Sequence, residues 1–180
     1  MTCRLLLVSG SLRQLSSSTA VLRLMASVAP PDVSAAPYER LAHLPAFNPD
    51  DDAEPLHPEV VFLRGEVHAS DAVVFSTPEY AGALPGSFKN LLDWTVGDDQ
   101  PGSIYGKPVA WVNASPRGAD GAHSELRTVL GYAHAAIVEA ACQSVPVTNA
   151  MIGPDGMIAD PATAGRVGDV LRALVDALVD

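Results

Sequence analysis

Short, solid apolar runs alternate along this chain with stretches in which apolar residues recur every three or four positions. Leu5-Leu-Leu-Val8 is the first such run. Apolar runs of this length read as strands covered on both faces. Behind it, Val21, Leu22, Leu24, Met25 and Val28 fall at helical spacing. The same alternation continues to the end of the chain. It predicts strands over 3–9, 33–38, 71–76, 108–113 and 141–147, and helices over 17–28, 58–69, 84–94 and 121–139. A last helix carries Val167, Val170, Leu171, Leu174, Val175 and Leu178 on one stripe. Pro30, Pro31 and Pro37 mark the second strand as short and at a sheet edge. Gly153-Pro-Asp-Gly156 reads as a turn or small hairpin. Five successive strand–helix units imply an α/β fold, a doubly wound five-stranded parallel sheet with helices on both faces.

Open sheets of this kind bind ligands beyond the carboxyl ends of their strands, where the strand order reverses. Three polar loops fall there, over 9–18, 77–82 and 114–121. The first holds Ser11-Leu-Arg13 and then Ser16-Ser-Ser-Thr19. A strand-to-helix turn collects unpaired N–H groups and the positive end of a helix dipole, which together favour an anion, most often a phosphate. Ser11, Ser16, Ser17, Ser18 and Thr19 add hydroxyls, and Arg13 adds a guanidinium. No second glycine follows Gly10 in this loop, so side chains share the grip with bare backbone. The same residues also read as a plain Ser/Thr helix cap beside a solvated Arg. Further along, Pro78 ends a strand, because proline cannot donate to a sheet ladder, and Pro85 suits the first turn of a new helix. The third loop, Ala114-Ser115-Pro116-Arg117-Gly118-Ala119-Asp120-Gly121, is again small and polar.

Gly10-Ser11-Leu12-Arg13 with its trailing serines, together with Pro78-Glu79-Tyr80-x-Gly82-x-x-Pro85-Gly86-x-x-Lys89-Asn90-x-x-Asp93-Trp94, resembles the NAD(P)H-dependent FMN reductase family. Azoreductases, quinone reductases and chromate reductases belong to it. The resemblance implies a flavodoxin-like fold with strand order 2-1-3-4-5 and FMN as the cofactor. It places the FMN phosphate on Ser11, Arg13, Ser16 and Ser18. It sets the flavin ring against the backbone of Pro78, Glu79, Tyr80 and Ala81, with Ser115 closing the other side. NAD(P)H is the implied electron donor, and a quinone, azo compound or metal oxyanion the acceptor. A homodimer or homotetramer is also implied, with helix three and the loop before strand four at the interface. Two positions depart from many relatives, which carry Asn where this chain has Ser18 and Ala81. No Gly-x-Gly-x-x-Gly dinucleotide fingerprint is present. A rival reading is a flavodoxin-like electron carrier serving a protein partner; the long second motif favours the reductase.

Composition narrows the field. At 180 residues one domain is expected, and 48% hydrophobic against 18% charged residues excludes a disordered chain. A net charge of −10 argues against nucleic-acid binding, which needs a basic footprint. It also means that any phosphate must be held by local donors, and Arg13 is the sole basic residue of the first loop. No apolar stretch reaches membrane-spanning length and no secretory leader is recognisable, so a cytoplasmic protein is expected. Cys3 and Cys142 fall in strands predicted to be non-adjacent and read as inert core thiols. Asp50-Asp51-Asp52 reads as a solvated loop, and the five histidines lack metal spacing. Gly102-Ser-Ile-Tyr-Gly106-Lys107 precedes a strand where a phosphate loop would follow one. Glu79 reads either as a structural carboxylate or as a general acid; flavin chemistry needs no protein base, which favours the first.

Overall fold

The computed structural model describes residues 3–179. Strand β1 (Cys3–Ser9) leads into helix α1 (Ser17–Val28) and edge strand β2 (Val33–Tyr38). Then follow α2 (Pro58–His68), β3 (Ala72–Ser76), α3 (Gly86–Val96), β4 (Pro108–Asn113) and α4 (Asp120–Tyr132). The chain ends with β5 (Ala136–Ile137), β6 (Gln143–Ser144) and α5 (Pro161–Asp176). All strand pairs are parallel, in the order β2-β1-β3-β4-β5, with β6 also on β4. This is the predicted flavodoxin-like arrangement, with one change in its last strand.

That strand is split. Sequence periodicity extends α4 to 139 and starts the strand at 141, whereas the helix stops at Tyr132. His134 takes a left-handed conformation (φ 50°), its N–H donates to the Gly131 carbonyl at 3.1 Å, and the Ala135 N–H reaches back to Leu130 at 3.0 Å. These two bonds form the Schellman motif that commonly ends helices, with His where glycine is usual. The chain then pairs with the start of β4 as β5, makes a 3₁₀ turn over Glu139–Ala141, and pairs with the end of β4 as β6.

The alternation within β1 divides the interior into two layers. Leu5 and Leu7 join the α1 and α5 side with Val21, Met25, Val167 and Leu171. Leu6 and Val8 join the α2, α3 and α4 side with Leu63, Phe88, Leu91 and Leu126. Cys3 and Cys142 are half-buried, unpaired thiols at the margins of these layers. Burial pushes the Cys142 thiol up to about 11, so it stays protonated and unreactive at neutral pH.

The second half of the long motif serves the fold. Asn90 accepts from the Phe47 N–H at 2.7 Å and donates to the Pro45 carbonyl at 2.9 Å. The Trp94 indole N–H donates to that same carbonyl at 2.9 Å, with Phe47 edge-on to the ring at 4.9 Å. These contacts clamp the 40–57 segment onto α3, while Lys89 pairs with Asp93 one turn along the same helix.

Close packing at the ends of β1 and β3 requires Gly10. A Cβ there would lie 2.6 Å from Thr77 Oγ1 and 2.8 Å from the Phe88 ring. Gly10→Ala should therefore destabilise the protein by about 1–3 kcal/mol, the usual effect of overpacking. Gly65→Ala, inside α2 with open space around it, should stabilise by about 0.5–1 kcal/mol. Urea unfolding of the two variants should thus shift in opposite directions.

Candidate active site

Helix α1 begins without a side-chain cap. Ser16 occupies the cap position, but its hydroxyl accepts nothing from the first turn, and that turn contains no acidic residue. Among the described residues, the N–H groups of Ser17, Ser18 and Thr19 have no protein partner. Three orphan donors at a helix N-terminus form an anion site. The strand end is fixed beneath it: Ser9 Oγ meets Thr19 Oγ1 at 2.8 Å, and the Ser11 hydroxyl accepts the Arg13 N–H at 3.2 Å. Ser11, Ser16 and Ser18 are buried, whereas Arg13 is exposed and makes no ion pair among the described residues.

The second loop is a tight hairpin. Tyr80 and Ala83 exchange backbone hydrogen bonds at 3.0 and 3.1 Å, with Ala81 (φ 53°) and Gly82 (φ 78°) between them, both left-handed. Two positive φ values define the turn type that favours Asn-Gly. Ala81 therefore holds a conformation that disfavours alanine by about 1–2 kcal/mol. The Tyr80 N–H is used inside the turn, while those of Glu79 and Ala81 remain free among the described residues.

Helix α4 buttresses this hairpin. Glu79 Oε2 accepts the Ala122 N–H at 3.1 Å, and Glu125 Oε2 accepts the Leu84 N–H at 2.7 Å. Glu79 thus caps α4 from another loop, at the end of the helix that favours a carboxylate. Gly121 permits this approach, since a Cβ there would lie 2.2 Å from the Gly82 carbonyl oxygen. The third loop is shaped from within by Asn113, whose Oδ1 accepts the Ser115 N–H at 3.0 Å and whose Nδ2 donates to the Gly118 carbonyl. The Ser115 hydroxyl accepts the Arg117 N–H at 3.2 Å and keeps its own proton free to donate.

These loops border a cavity of about 420 Å³. Of the sequence-predicted residues, Arg13, Ser18, Pro78, Glu79 and Ser115 line it together. Ser11 lines an adjoining cavity instead, and Ser16, Tyr80 and Ala81 line neither. Ser17, one of the hydroxyls the first loop offers, lines it too, and so do Thr77, Arg117, Thr148 and Asn149, which were not singled out from the sequence as site residues. Thr148 and Asn149 directly follow the predicted fifth strand, so the rule that located the other loops points to them too.

The donor set fits FMN. An uncapped helix N-terminus, buried hydroxyls and an uncommitted guanidinium suit its phosphate, and free loop amides suit a ring edge. A flavin site at the switch point of a flavodoxin-like sheet defines the class. The family model described as NADPH-dependent FMN reductase matches residues 3–149. A quinone reductase of Pseudomonas putida is 33% identical over 177 residues, covering 96% of this chain and 89% of that protein. A 2-hydroxy-1,4-benzoquinone reductase of Burkholderia is 31% identical over 140 residues, covering 73% and 72%. The flavoenzyme NAD(P)H:(acceptor) oxidoreductase FerB of Paracoccus denitrificans superposes with a TM-score of 0.78 at 26% identity, covering 98% and 97%. The chain belongs to the NADPH-dependent FMN reductase family. It is an FMN-dependent enzyme that takes electrons from NAD(P)H, which decides against the carrier reading.

Glu79→Ala should lower stability by about 1 kcal/mol, as loss of a helix cap does. Glu79→Gln, whose amide oxygen can accept the same bond, should restore most of it. Flavin reduction by NAD(P)H in FMN-loaded Glu79→Gln should stay within about tenfold of wild type; a fall of about 10²–10⁴ would instead identify Glu79 as an acid or base.

His123 gives the site a pH signature. It is buried in the first turns of α4, 6.5 Å from the Trp111 ring, with Nδ1 2.8 Å from the Ala119 carbonyl oxygen. A carbonyl only accepts, so Nδ1 carries the proton, and Nε2 is a buried acceptor without a partner among the described residues. Burial holds the imidazole pKa below its usual 6.5, against the opposing pull of the Ala119 carbonyl, Asp120 and Glu79. The unfolded chain therefore binds the proton first as pH falls, and stability declines below about 6.5. His123→Gln should show a smaller difference between unfolding free energies at pH 7.5 and 5.5 than wild type does.

Proposed function

We propose that this enzyme reduces quinones, with the FMN phosphate seated on the N-terminus of α1 and on Arg13. The observation that carries the site is the uncapped α1 terminus facing a loop-bordered cavity with a free guanidinium at its edge. Ser11, Ser16 and Ser18 add hydroxyls around the phosphate. The free amides of Glu79 and Ala81, with Ser115 opposite, meet the ring edge; Pro78 and Tyr80 fix the shape of that loop. When bound, FMN supplies the two-electron exchange between donor and acceptor. The protein binds, orients and encloses, and Glu79 serves by holding α4 against the hairpin.

The relatives named for quinone reduction support this acceptor class. So does the half-exposed Tyr80 side chain, which offers a ring for a flat acceptor. A quinone takes two electrons and two protons to become a hydroquinone; NAD(P)H supplies both electrons and one proton, and water supplies the other. All described elements serve one sheet, which supports a single FMN-binding domain over 1–180. The exposed Tyr105 and Tyr132 side chains support assembly as a homodimer. An NAD(P)H-consuming reductase of this kind belongs in the cytoplasm.

Arg13→Ala should weaken FMN binding about ten- to a hundredfold, the effect of losing a charge-assisted hydrogen bond worth about 1.5–3 kcal/mol. Riboflavin, which lacks the phosphate, should bind wild type at least as weakly. Fluorescence titration checks both, and equal affinity of wild type for riboflavin and FMN would remove the phosphate from the first loop. Benzoquinone-dependent oxidation of NADH or NADPH by the FMN-loaded protein tests the acceptor class.

A further inference from the structure

The described residues commit most of the molecule's positive charge. Of eleven Lys and Arg residues, Arg4, Arg40, Arg64, Lys89, Arg127 and Arg172 pair with carboxylates. Lys107 donates to the Ser70 carbonyl and Arg166 to that of Ser144. Among the described residues, Arg13, Arg23 and Arg117 alone have neither kind of partner. All three line cavities at the carboxyl end of the sheet. In a chain of net charge −10, three uncommitted guanidiniums in one place exceed what a single FMN phosphate requires.

Two of them line a second cavity. It measures about 290 Å³ and lies on the β2 side of the first loop, and Arg13 alone borders both it and the larger cleft. Ser9, Ser11, Thr19, Arg23 and Glu39 supply its polar wall, over an apolar floor that includes Leu22 and Leu41. Arg23 packs against the 153–156 turn, where a Cβ at Gly156 would lie 2.5 Å from its Nη1. Glu39 immediately follows β2. Its carboxylate can accept from the hydroxyls of a ribose. A ribose acceptor, two phosphate donors and an apolar floor together describe a nucleoside phosphate.

We propose that this second cavity binds the adenosine phosphate half of the nicotinamide donor, with Arg23 on the phosphate and Glu39 on the ribose. The inference rests on the reductase reading above. The donor then lies across the first loop, its nicotinamide over the cleft and its adenylate on the β2 side, and Arg13 stands between the two phosphate sites.

The test uses the FMN-loaded protein and 5′-ADP as probe. Calorimetry should find one ADP site per chain, and ADP should inhibit competitively against the donor but not against the quinone. Arg23→Ala should weaken ADP binding and raise the KM for the donor about tenfold or more, with kcat, quinone KM and FMN affinity within about twofold of wild type. Arg172→Ala, which removes the same charge from an exposed position on α5, should change none of these. Arg23→Lys, which keeps the charge, should recover part of the affinity. Normal turnover with no ADP binding, or ADP binding indifferent to Arg23→Ala, would overturn the assignment. ADP binding by a flavoprotein that neither NADH nor NADPH reduces would instead overturn the reductase reading, and the donor identity with it.

Discussion

The N–H of Gly10 donates to the Ser76 carbonyl at 2.8 Å, and the Ser76 hydroxyl donates to Val112 at 2.7 Å. These bonds cross β1, β3 and β4 at their carboxyl ends. Each lies where its strand must stop pairing and release a loop, so the polar groups exposed by that release are satisfied sideways. The loops consequently leave the sheet from fixed points. Because β2 lies on one side of β1 and β3 on the other, the first loop and the hairpin diverge and a cleft opens between them. The donors at the start of α1, the turn at Ala81 and Gly82, and the bend around Asn113 all take their positions from this seam.

Much of this was legible in the residues. The bounds of β1, α1, β2 and β4 follow from solid apolar runs and their punctuation by Gly10, Ser16 and Pro108. The end of α4 was not legible, since its stop depends on His134 adopting a left-handed conformation that glycine normally advertises. The role of Glu79 was only half legible. Its cap lies on Ala122, and no local spacing reports a contact between two loops joined through the sheet. The Lys89-Asn90 to Asp93-Trp94 segment was informative for a reason the sequence did not reveal. Its residues clamp the 40–57 segment and pair with one another, and none of them lines the 420 Å³ cleft.

Electrostatics and covalent architecture are arranged in complementary ways. An acidic surface repels free phosphates at long range, while the cations without partners gather at one rim. Attraction for an anion is therefore local, confined to the rim where the Arg13 guanidinium and the free α1 amides lie.

The broken fifth strand has a consequence for assembly. An intact outer strand offers a row of unpaired backbone groups to any other chain, and proteins commonly disable such rows. Here one border is interrupted by the 3₁₀ turn between β5 and β6, and the other carries exposed Pro37, which has no N–H to give. Neither border can template a strand from a second molecule along its full length. The sheet therefore ends within each copy, which protects the chain from edge-to-edge polymerisation at high concentration.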